Sequence, residues 1–208
     1  MFVPSHFRED DIGKLHQYIR DIGLGLLIVA DEDGIEANHI PFHLSIEQDG
    51  KFTRLQCHVA RSNPVWSRLT PKARVLVVFQ GPDAYISPSW YKTKTETGRV
   101  VPTWNYLAVH AEGTARTVED PVWLKDHLHR LTSQQESDMD QPWSVDDAPA
   151  DYVDRLAQAI VGIEIDIETL TGKLKASQNQ PESNRVGVKK GLENRGEKGD
   201  CIIASLIR

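Results

Sequence analysis

Four short polar clusters are the places in this sequence where residue types and spacing could support ligand binding or catalysis. They lie in or next to predicted strands, and together they supply amides, hydroxyls, imidazoles and cationic side chains. Groups of these types hold anionic and hydrogen-bonding small molecules. In chain order, the first to fourth clusters are Asn38-His39-Ile40-Pro41, His58-Val59-Ala60-Arg61-Ser62-Asn63, Thr103-Trp104-Asn105, and the group Lys173, Ser177 and Gln178.

The second cluster has chemistry of its own. It ends a predicted strand, and Asn63-Pro64 is a typical start for a short helix. The Arg61 guanidinium, the Ser62 hydroxyl and the free amides at the start of that helix would together bind a phosphate. The alternative is a helix that Ser62 or Asn63 caps, with Arg61 facing solvent. The residues leave both interpretations open.

The common motifs of nucleotide, hydrolytic and metal chemistry are absent. The sequence contains no GxGxxG, GxxxxGK[ST], HExxH or GxSxG pattern. His39 and His43 share a strand face but lie roughly 13 Å apart at the rise of a strand. His127 and His129 point to different sides of a helix. We therefore predict structural or surface histidines and no metal site.

Short strands joined by turns dominate the predicted secondary structure. About seven or eight strands with helices at their edges are typical of a mainly β, α+β fold, a barrel or sandwich with peripheral helices. The first half is predicted as a helix over 8–21, strands over 24–30, 35–46 and 52–59 with turns at 31–34 and 48–50, and a short helix over 63–69. The second half is predicted as strands over 74–80 and 84–86 with a turn at 81–83, a loop over 87–105, a strand over 106–118, helices from 120 and over 149–159, a strand over 161–168 and a helix near 184–194.

Composition excludes several classes of protein. The chain has 208 residues, 39% of them hydrophobic, which is enough for a sizeable core. Its two cysteines, Cys57 and Cys201, are far apart and lie in no CxxC pattern. No apolar run reaches the roughly 18 residues that a membrane helix needs. These features, with a first segment that turns acidic early, predict a cytoplasmic protein without a disulfide scaffold, signal peptide or membrane span.

The charge is distributed unevenly. Residues 171–208 hold eight Lys and Arg against four Asp and Glu, a balance of +4, so the other 170 residues carry −10 of a total of −6. Residues 133–154 alone contain seven carboxylates and no Lys or Arg. We interpret these segments as a solvated acidic loop and a basic tail. Because neutralising DNA phosphates requires clustered cations, we do not expect direct DNA binding.

Five motifs follow one another along nearly the whole chain: ANHIP, HVARSNP, YISPSWY, VPTWNY and KLKASQNQP. In this order they resemble the PaiB-type FMN-binding negative transcriptional regulators, which belong to the FMN-binding split β-barrels. The resemblance implies an antiparallel split β-barrel, FMN as cofactor, and a homodimer with flavin sites at its interface. The predicted domains are a flavin-binding barrel over 1–170, with a helical insertion at about 120–159, and a polar basic segment over 171–208 packed on the same domain.

The resemblance also assigns roles to the polar clusters. The resemblance implies that the first cluster faces the edge of the isoalloxazine ring and that the second holds the phosphate. The third approaches from the partner subunit or lines the ring pocket, and the fourth matches the terminal polar motif, whose role stays unassigned. Related oxidases have a basic residue just after the phosphate-binding serine, whereas Asn63 and Pro64 follow Ser62 here. This departure argues against oxidase activity.

Two functions remain open at this point. The resemblance implies a transcriptional regulator that acts through or alongside its bound flavin. The alternative is a flavin-dependent oxidoreductase acting on a small molecule, with Tyr85, Tyr91, His39 and His58 as candidate acid–base residues. Flavin chemistry often needs only correct positioning of the ring, so the lack of an obvious acid or base does not exclude an enzyme.

Overall fold

The computed structural model describes residues 1–46, 53–69 and 73–208; the predicted turn at 48–50 and the first residue of the predicted strand over 52–59 lie outside them. The strands are Arg8–Glu9 (β1), Leu24–Asp31 (β2), Gly34–Pro41 (β3), His43–Ile46 (β4), Thr53–Ala60 (β5), Ala73–Ile86 (β6), Thr103–Val118 (β7) and Ile160–Lys175 (β8). The α-helices are Ile12–Ile22 (α1), Thr93–Thr97 (α2), Pro121–Glu136 (α3), Ala150–Gln158 (α4), Glu182–Arg195 (α5) and Asp200–Leu206 (α6). Short 3-10 helices cover Ser5–Phe7, Pro64–Arg68, Pro88–Trp90 and Val145–Asp147.

The eight strands form one sheet in the order β3-β2-β6-β7-β8-β5-β4, and β1 pairs with β8. The ladders of β2, β3, β4 and β5 with their neighbours are antiparallel. The strands at the two ends of this order, β3 and β4, are consecutive in the chain, yet no ladder joins them within the described residues. The predicted mainly β architecture with peripheral helices is confirmed, as an open rather than a closed sheet.

Internal contacts divide the chain into two compact units. The first comprises Met1–Tyr18, Gln80–Val109 and Thr171–Arg208, and the second comprises Ile19–Phe79 and His110–Leu170. The predicted boundary at residue 170 stays a prediction. Within the part of the chain that the structure describes, no helix is long and apolar enough to cross a membrane.

The single strand predicted over 35–46 is wrong, because the strand breaks at Phe42. Its ring is fully buried and lies where a side chain on Gly25 would be, since a Cβ there would come within 2.8 Å of the ring. The Phe42 amide donates a hydrogen bond to the Gly23 carbonyl (2.8 Å). Because β2 already pairs with β3 and β6, the chain beyond Phe42 pairs with β5 instead.

The turn predicted at 81–83 is also wrong, because β6 continues through it to Ile86. A Cβ on Gly81 would lie 3.0 Å from the Leu107 side chain, so the small residue allows a close approach rather than a turn. Two strands are longer than predicted, with β7 starting at Thr103 and β8 ending at Lys175. Helix α6 has no counterpart among the predicted elements.

The core of the first unit lies under α5 and α6. Val188, Leu192 and Ile203 are fully buried in it. Gly191 faces Trp90 so closely that a Cβ would lie 2.2 Å from the indole. The absence of a side chain at this position therefore lets Trp90 pack directly on the backbone of α5.

In the second unit, α3 lies against the sheet. Asp120 caps it by accepting a hydrogen bond from the Val122 amide (3.1 Å), as the Asp-Pro start predicts. A Cβ on Gly162 of β8 would lie 2.2 Å from the Trp123 ring, so the indole rests on the strand itself. The helices α3 and α4 thus hold side chains of the 121–158 segment over β5 and β8.

Candidate functional site

Asn63 joins the first and second clusters. Its side-chain carbonyl accepts a hydrogen bond from the Val65 amide (3.0 Å), so Asn63 rather than Ser62 caps the helix Pro64–Arg68. Its side-chain amide donates to Asn38 Oδ1 (2.9 Å). The clusters that the resemblance assigns to the flavin ring and to its phosphate therefore meet, at β3 and the end of β5.

Strand alternation decides which other side chains of these two clusters are accessible. His39, Pro41 and Ala60 are exposed, whereas Ile40 and Val59 are buried. Ile40 and Val59 therefore contribute to the core, and the three exposed residues are free to touch a ligand through their side chains.

The Arg61 guanidinium is held by three groups of the second unit. Nη1 donates to Glu119 Oε2 (2.6 Å), Nε donates to the Gln158 carbonyl (3.1 Å) and Nη2 donates to the Ile160 carbonyl (3.2 Å). Ser62 is exposed and makes no hydrogen bond within the described residues. An arriving phosphate would therefore find a free hydroxyl and a guanidinium that a carboxylate already occupies.

The third and fourth clusters meet in the first unit. Asn105 Nδ2 donates to Ser177 Oγ (2.9 Å), and both residues are buried. Lys175 Nζ donates to Thr103 Oγ1. Gln178 is used internally, because its carbonyl accepts from the Ala176 amide (2.7 Å) and its amide donates to a backbone carbonyl.

Aromatic and cationic side chains lie beside this contact. Trp104 is 53% exposed and packs edge-to-face on Tyr85, with ring centroids 5.9 Å apart. Lys173 Nζ lies 5.0 Å from the centre of the Tyr106 ring. Burial, with the neighbouring positive charge of Lys173, lowers the pKa of Lys175. This part of the first unit therefore offers an exposed indole together with two cations.

The donor set of these clusters fits a flavin mononucleotide. Arg61 and Ser62 in the second unit, and Lys173 and Lys175 in the first, are groups that bind a phosphate dianion. Asn105 Oδ1 is buried and has no partner within the described residues, so it has an unused acceptor for an imide N–H such as that of the flavin ring. Both units therefore contain groups that suit the phosphate of FMN, and the first unit also contains an acceptor that suits the ring imide.

A buried histidine network in the second unit was not predicted. His58 Nδ1 lies 3.1 Å from His127 Nε2, and the His127 ring stacks on Trp123 with centroids 5.1 Å apart. Trp123 Nε1 donates to the buried Glu164 carboxylate (3.3 Å), which also accepts from Gln56 Nε2 (2.8 Å). We call His58, His127, Trp123 and Glu164 the histidine network.

The histidine network keeps both imidazoles neutral. Burial lowers the pKa of His58, and burial with the nearby His58 lowers that of His127 to about 3. One sequence signal pointed to this burial, since Leu124 and Leu131 put His127 on the apolar face of its helix. Within the described residues, no group of three or more His, Cys, Asp or Glu side chains is arranged to hold a metal ion.

Comparisons with known proteins identify the family of this chain. The model of a family described as "Putative FMN-binding domain" matches residues 1–169. The chain belongs to this family. The match confirms FMN as the predicted cofactor.

The PaiB-type resemblance is confirmed over the full length of this family member. It is 30% identical over 207 residues to the Protease synthase and sporulation protein PAI 2 of Bacillus subtilis, covering all of this chain and 96% of the relative. It is 36% identical over 242 residues to an uncharacterized protein of Emericella nidulans, covering all of this chain and 96% of that one. The solved structure of the FAD and heme binding protein from Mycobacterium smegmatis has a TM-score of 0.58 at 13% identity, over 81% of this chain and 73% of that one. The predicted split β-barrel is thereby confirmed.

We expect the histidine network to make stability depend on pH. The pKa of His127 is about 3 in the folded protein against 6.5 ordinarily, so between these values the unfolded chain binds one proton more. The titration of His127 leaves the free energy of unfolding unchanged above pH 6.5. Between pH 6.5 and about 3 it lowers that free energy by about 1.4 kcal/mol for each pH unit. Denaturant unfolding from about pH 7 to about pH 5 should therefore show a shallower pH dependence for His127→Gln. His129→Gln, on the same helix, is the control and should keep the parent dependence; an unchanged dependence in His127→Gln would contradict the assignment.

Proposed function

We propose that this chain is an FMN-binding homodimer that acts as a transcriptional regulator of the PaiB type, through or alongside its bound flavin. The proposal rests on the Asn63–Asn38 contact, which joins the ring and phosphate clusters within an FMN-binding family member. The Bacillus subtilis relative carries the name Protease synthase and sporulation protein PAI 2. Sporulation is a cellular process rather than a chemical reaction, so this part of the relative's name supports a regulatory role.

Different residues of the chain would contact different parts of FMN. Ser62 and the Arg61 guanidinium would take the phosphate of one flavin, with the exposed strand residues His39 and Pro41 beside it. Trp104 of the partner subunit would cover the ring. When bound, FMN supplies reversible acceptance of one or two electrons. A bound flavin of this kind gives a regulator a redox state to sense.

The alternative function, a flavin-dependent oxidoreductase, has one supporting observation. The His58 imidazole is neutral and braced by His127, which suits a proton acceptor or donor. Tyr91 is a weaker candidate, because burial raises the pKa of its hydroxyl.

Arg61 should be needed for FMN but not for riboflavin, which lacks the phosphate. A charge-assisted hydrogen bond of about 1.5–3 kcal/mol makes Arg61→Ala bind FMN roughly ten- to a hundredfold more weakly. Glu119→Gln removes the competing carboxylate and should tighten FMN binding by about two- to fivefold. Fluorescence titration of both flavins into each variant measures these effects. If FMN binding to Arg61→Ala stays within about twofold of the parent, the phosphate is held elsewhere, with Lys173 and Lys175 as the next candidates.

Trp104 should lie in the proposed dimer interface. A large, half-exposed indole beside the exposed Val101 leaves apolar surface that a second subunit would cover. The parent should sediment as a dimer at micromolar concentration, and Trp104→Glu should sediment as a monomer and retain less FMN. Val122→Glu, at an exposed position of α3, is the matched control and should remain dimeric. A monomeric parent protein would refute the homodimer.

Regulation and catalysis predict different results in cells and in the test tube. Cells lacking the gene should change the levels of a set of transcripts, and cells with Arg61→Ala should reproduce that change. The purified FMN protein should form no stable complex with promoter DNA at physiological salt, because residues 1–170 carry −10. Unchanged transcripts, together with NADH or NADPH oxidation by the purified protein, would favour the oxidoreductase instead.

A further inference from the structure

A separate apolar cavity lies in the second unit between the sheet and the helical segment. It has a volume of about 390 Å³, and its lining includes His58, Leu128, Ala148, Val153 and Ile160. Trp143 and Tyr152 also line it and are each about half exposed, so they lie at its opening. A volume of this size falls within the range of about 300–1,000 Å³ that small-molecule sites occupy.

The lining of this cavity does not suit a phosphate. Among the described residues its lining includes no Lys or Arg, and the groups proposed for the FMN phosphate, Arg61 and Ser62, do not belong to it. Trp143, Ala148 and Tyr152 come from the segment 133–154, which holds seven carboxylates and no cationic side chain. An anionic ligand would therefore find no cationic partner in the described lining, whereas a neutral ligand needs none.

His58 is the polar group with which a ligand in the cavity can pair. Its Nδ1 is already hydrogen-bonded to His127 Nε2, which leaves Nε2 as the free ring nitrogen. Both imidazoles are neutral at pH 7, because burial lowers the pKa of each. Between two neutral rings, one nitrogen donates and the other accepts.

The unpartnered nitrogen of His127 decides the direction of this hydrogen bond. His127 Nδ1 is buried and has no partner within the described residues. If His58 donated, His127 would have to keep a buried N–H without an acceptor, which is rarer than an unused acceptor. His127 Nε2 therefore donates to His58 Nδ1. It follows that His58 carries its proton on Nε2 and is a donor towards a ligand.

We propose that this cavity binds a neutral, flat aromatic compound with a carbonyl group, whose oxygen accepts a hydrogen bond from His58 Nε2. The apolar walls take the ring system, and the half-exposed Trp143 and Tyr152 stack on its outer edge. The site does not depend on the proposed role in transcription; it shares His58 and Ala60 with the second cluster but does not include Arg61 or Ser62. Because His58 Nε2 needs a hydrogen-bond acceptor, a purely hydrocarbon ligand should bind more weakly than one with a carbonyl group.

The test uses the FMN-loaded protein and three probes of nearly equal shape. They are 2-acetylnaphthalene, 2-isopropenylnaphthalene, which lacks the oxygen acceptor, and the anion 2-naphthoate. Isothermal titration calorimetry should show the ketone binding about tenfold more tightly than the alkene. The carboxylate should be the weakest of the three. Equal affinity for ketone and alkene, or no binding of the ketone, would overturn the proposal.

Variants then locate the site. Ala148→Phe fills the cavity and should abolish binding of the ketone, whereas Ala150→Phe, nearby but outside its lining, should not. Thr132→Phe, on the half-buried face of α3, is a second filling variant that stands in if Ala148→Phe does not fold. His58→Phe should bind ketone and alkene equally.

Two further measurements distinguish the proposed ligand from other occupants of the cavity. The visible absorbance of protein-bound FMN should not change as the ketone binds. Release of FMN in proportion to the ketone would identify the cavity as the flavin ring site and overturn the proposal. Loss of the dimer in Ala148→Phe, measured by sedimentation, would show that a second copy fills the cavity and would also overturn it.

Discussion

The burial of Phe42 determines where the sheet turns and which polar side chains meet. A phenylalanine buries at least about 150 Å² of surface, so exposing this ring to continue β3 in a straight line would be costly. The ring instead packs over Gly25 and edge-to-face on Phe79, with centroids 5.6 Å apart. The chain therefore leaves β2 at this point and pairs with β5, at whose end Asn63 reaches Asn38 on β3.

Helix α3 is fixed to the same corner. Gln134 Nε2 donates to the Phe42 carbonyl (3.2 Å), and Gln134 Oε1 lies 2.9 Å from His43 Nδ1. At the other end of the helix, Trp123 rests on Gly162 and donates to Glu164. Two anchors about three turns apart thus set the position of His127 between them. This is why His127 reaches His58 although 69 residues separate them.

Electrostatics at the end of β5 depend on a competition between anions. The Arg61–Glu119 pair is well exposed, with 41% and 55% of the two side chains accessible. Exposed pairs of this kind contribute only about 0.2–1 kcal/mol, so a phosphate dianion can displace the carboxylate at small cost. The two backbone carbonyls that also hold the guanidinium need not be given up. Arg61 therefore serves the fold and remains available to a ligand.

The elements that the sequence predicted correctly depend on local signals. Strand β2, the helix starts at Asp120-Pro121 and Asn63-Pro64, and the strand at the beginning of β8 follow from neighbouring residues. The break at Phe42 does not, because it depends on space left by a glycine in another strand. The continuation of β6 through 81–83 likewise depends on the approach of Leu107 to Gly81.

The candidate site shows the same division between local and distant causes. Residues that motif order had grouped only along the chain do meet in two places, since Asn38 meets Asn63, and Asn105 meets Ser177. Their role in binding a flavin stays a prediction. Residue type alone did not assign their roles. Arg61 is partly used by Glu119, and His58 is paired with a histidine on a helix far along the chain.

The end of β8 shows how a polar motif can act by positioning rather than by contact. Ser177 has a positive φ of 62°, a conformation that is rare for a residue with a side chain and costs roughly 1–3 kcal/mol. Its hydrogen bond to the buried Asn105 and the two backbone hydrogen bonds of Gln178 offset that cost. They also fix the direction in which the chain leaves Lys175, next to Thr103. Ser177 and Gln178 therefore stabilise the local backbone conformation. Lys173 and Lys175 are the groups of this segment that suit an anionic ligand.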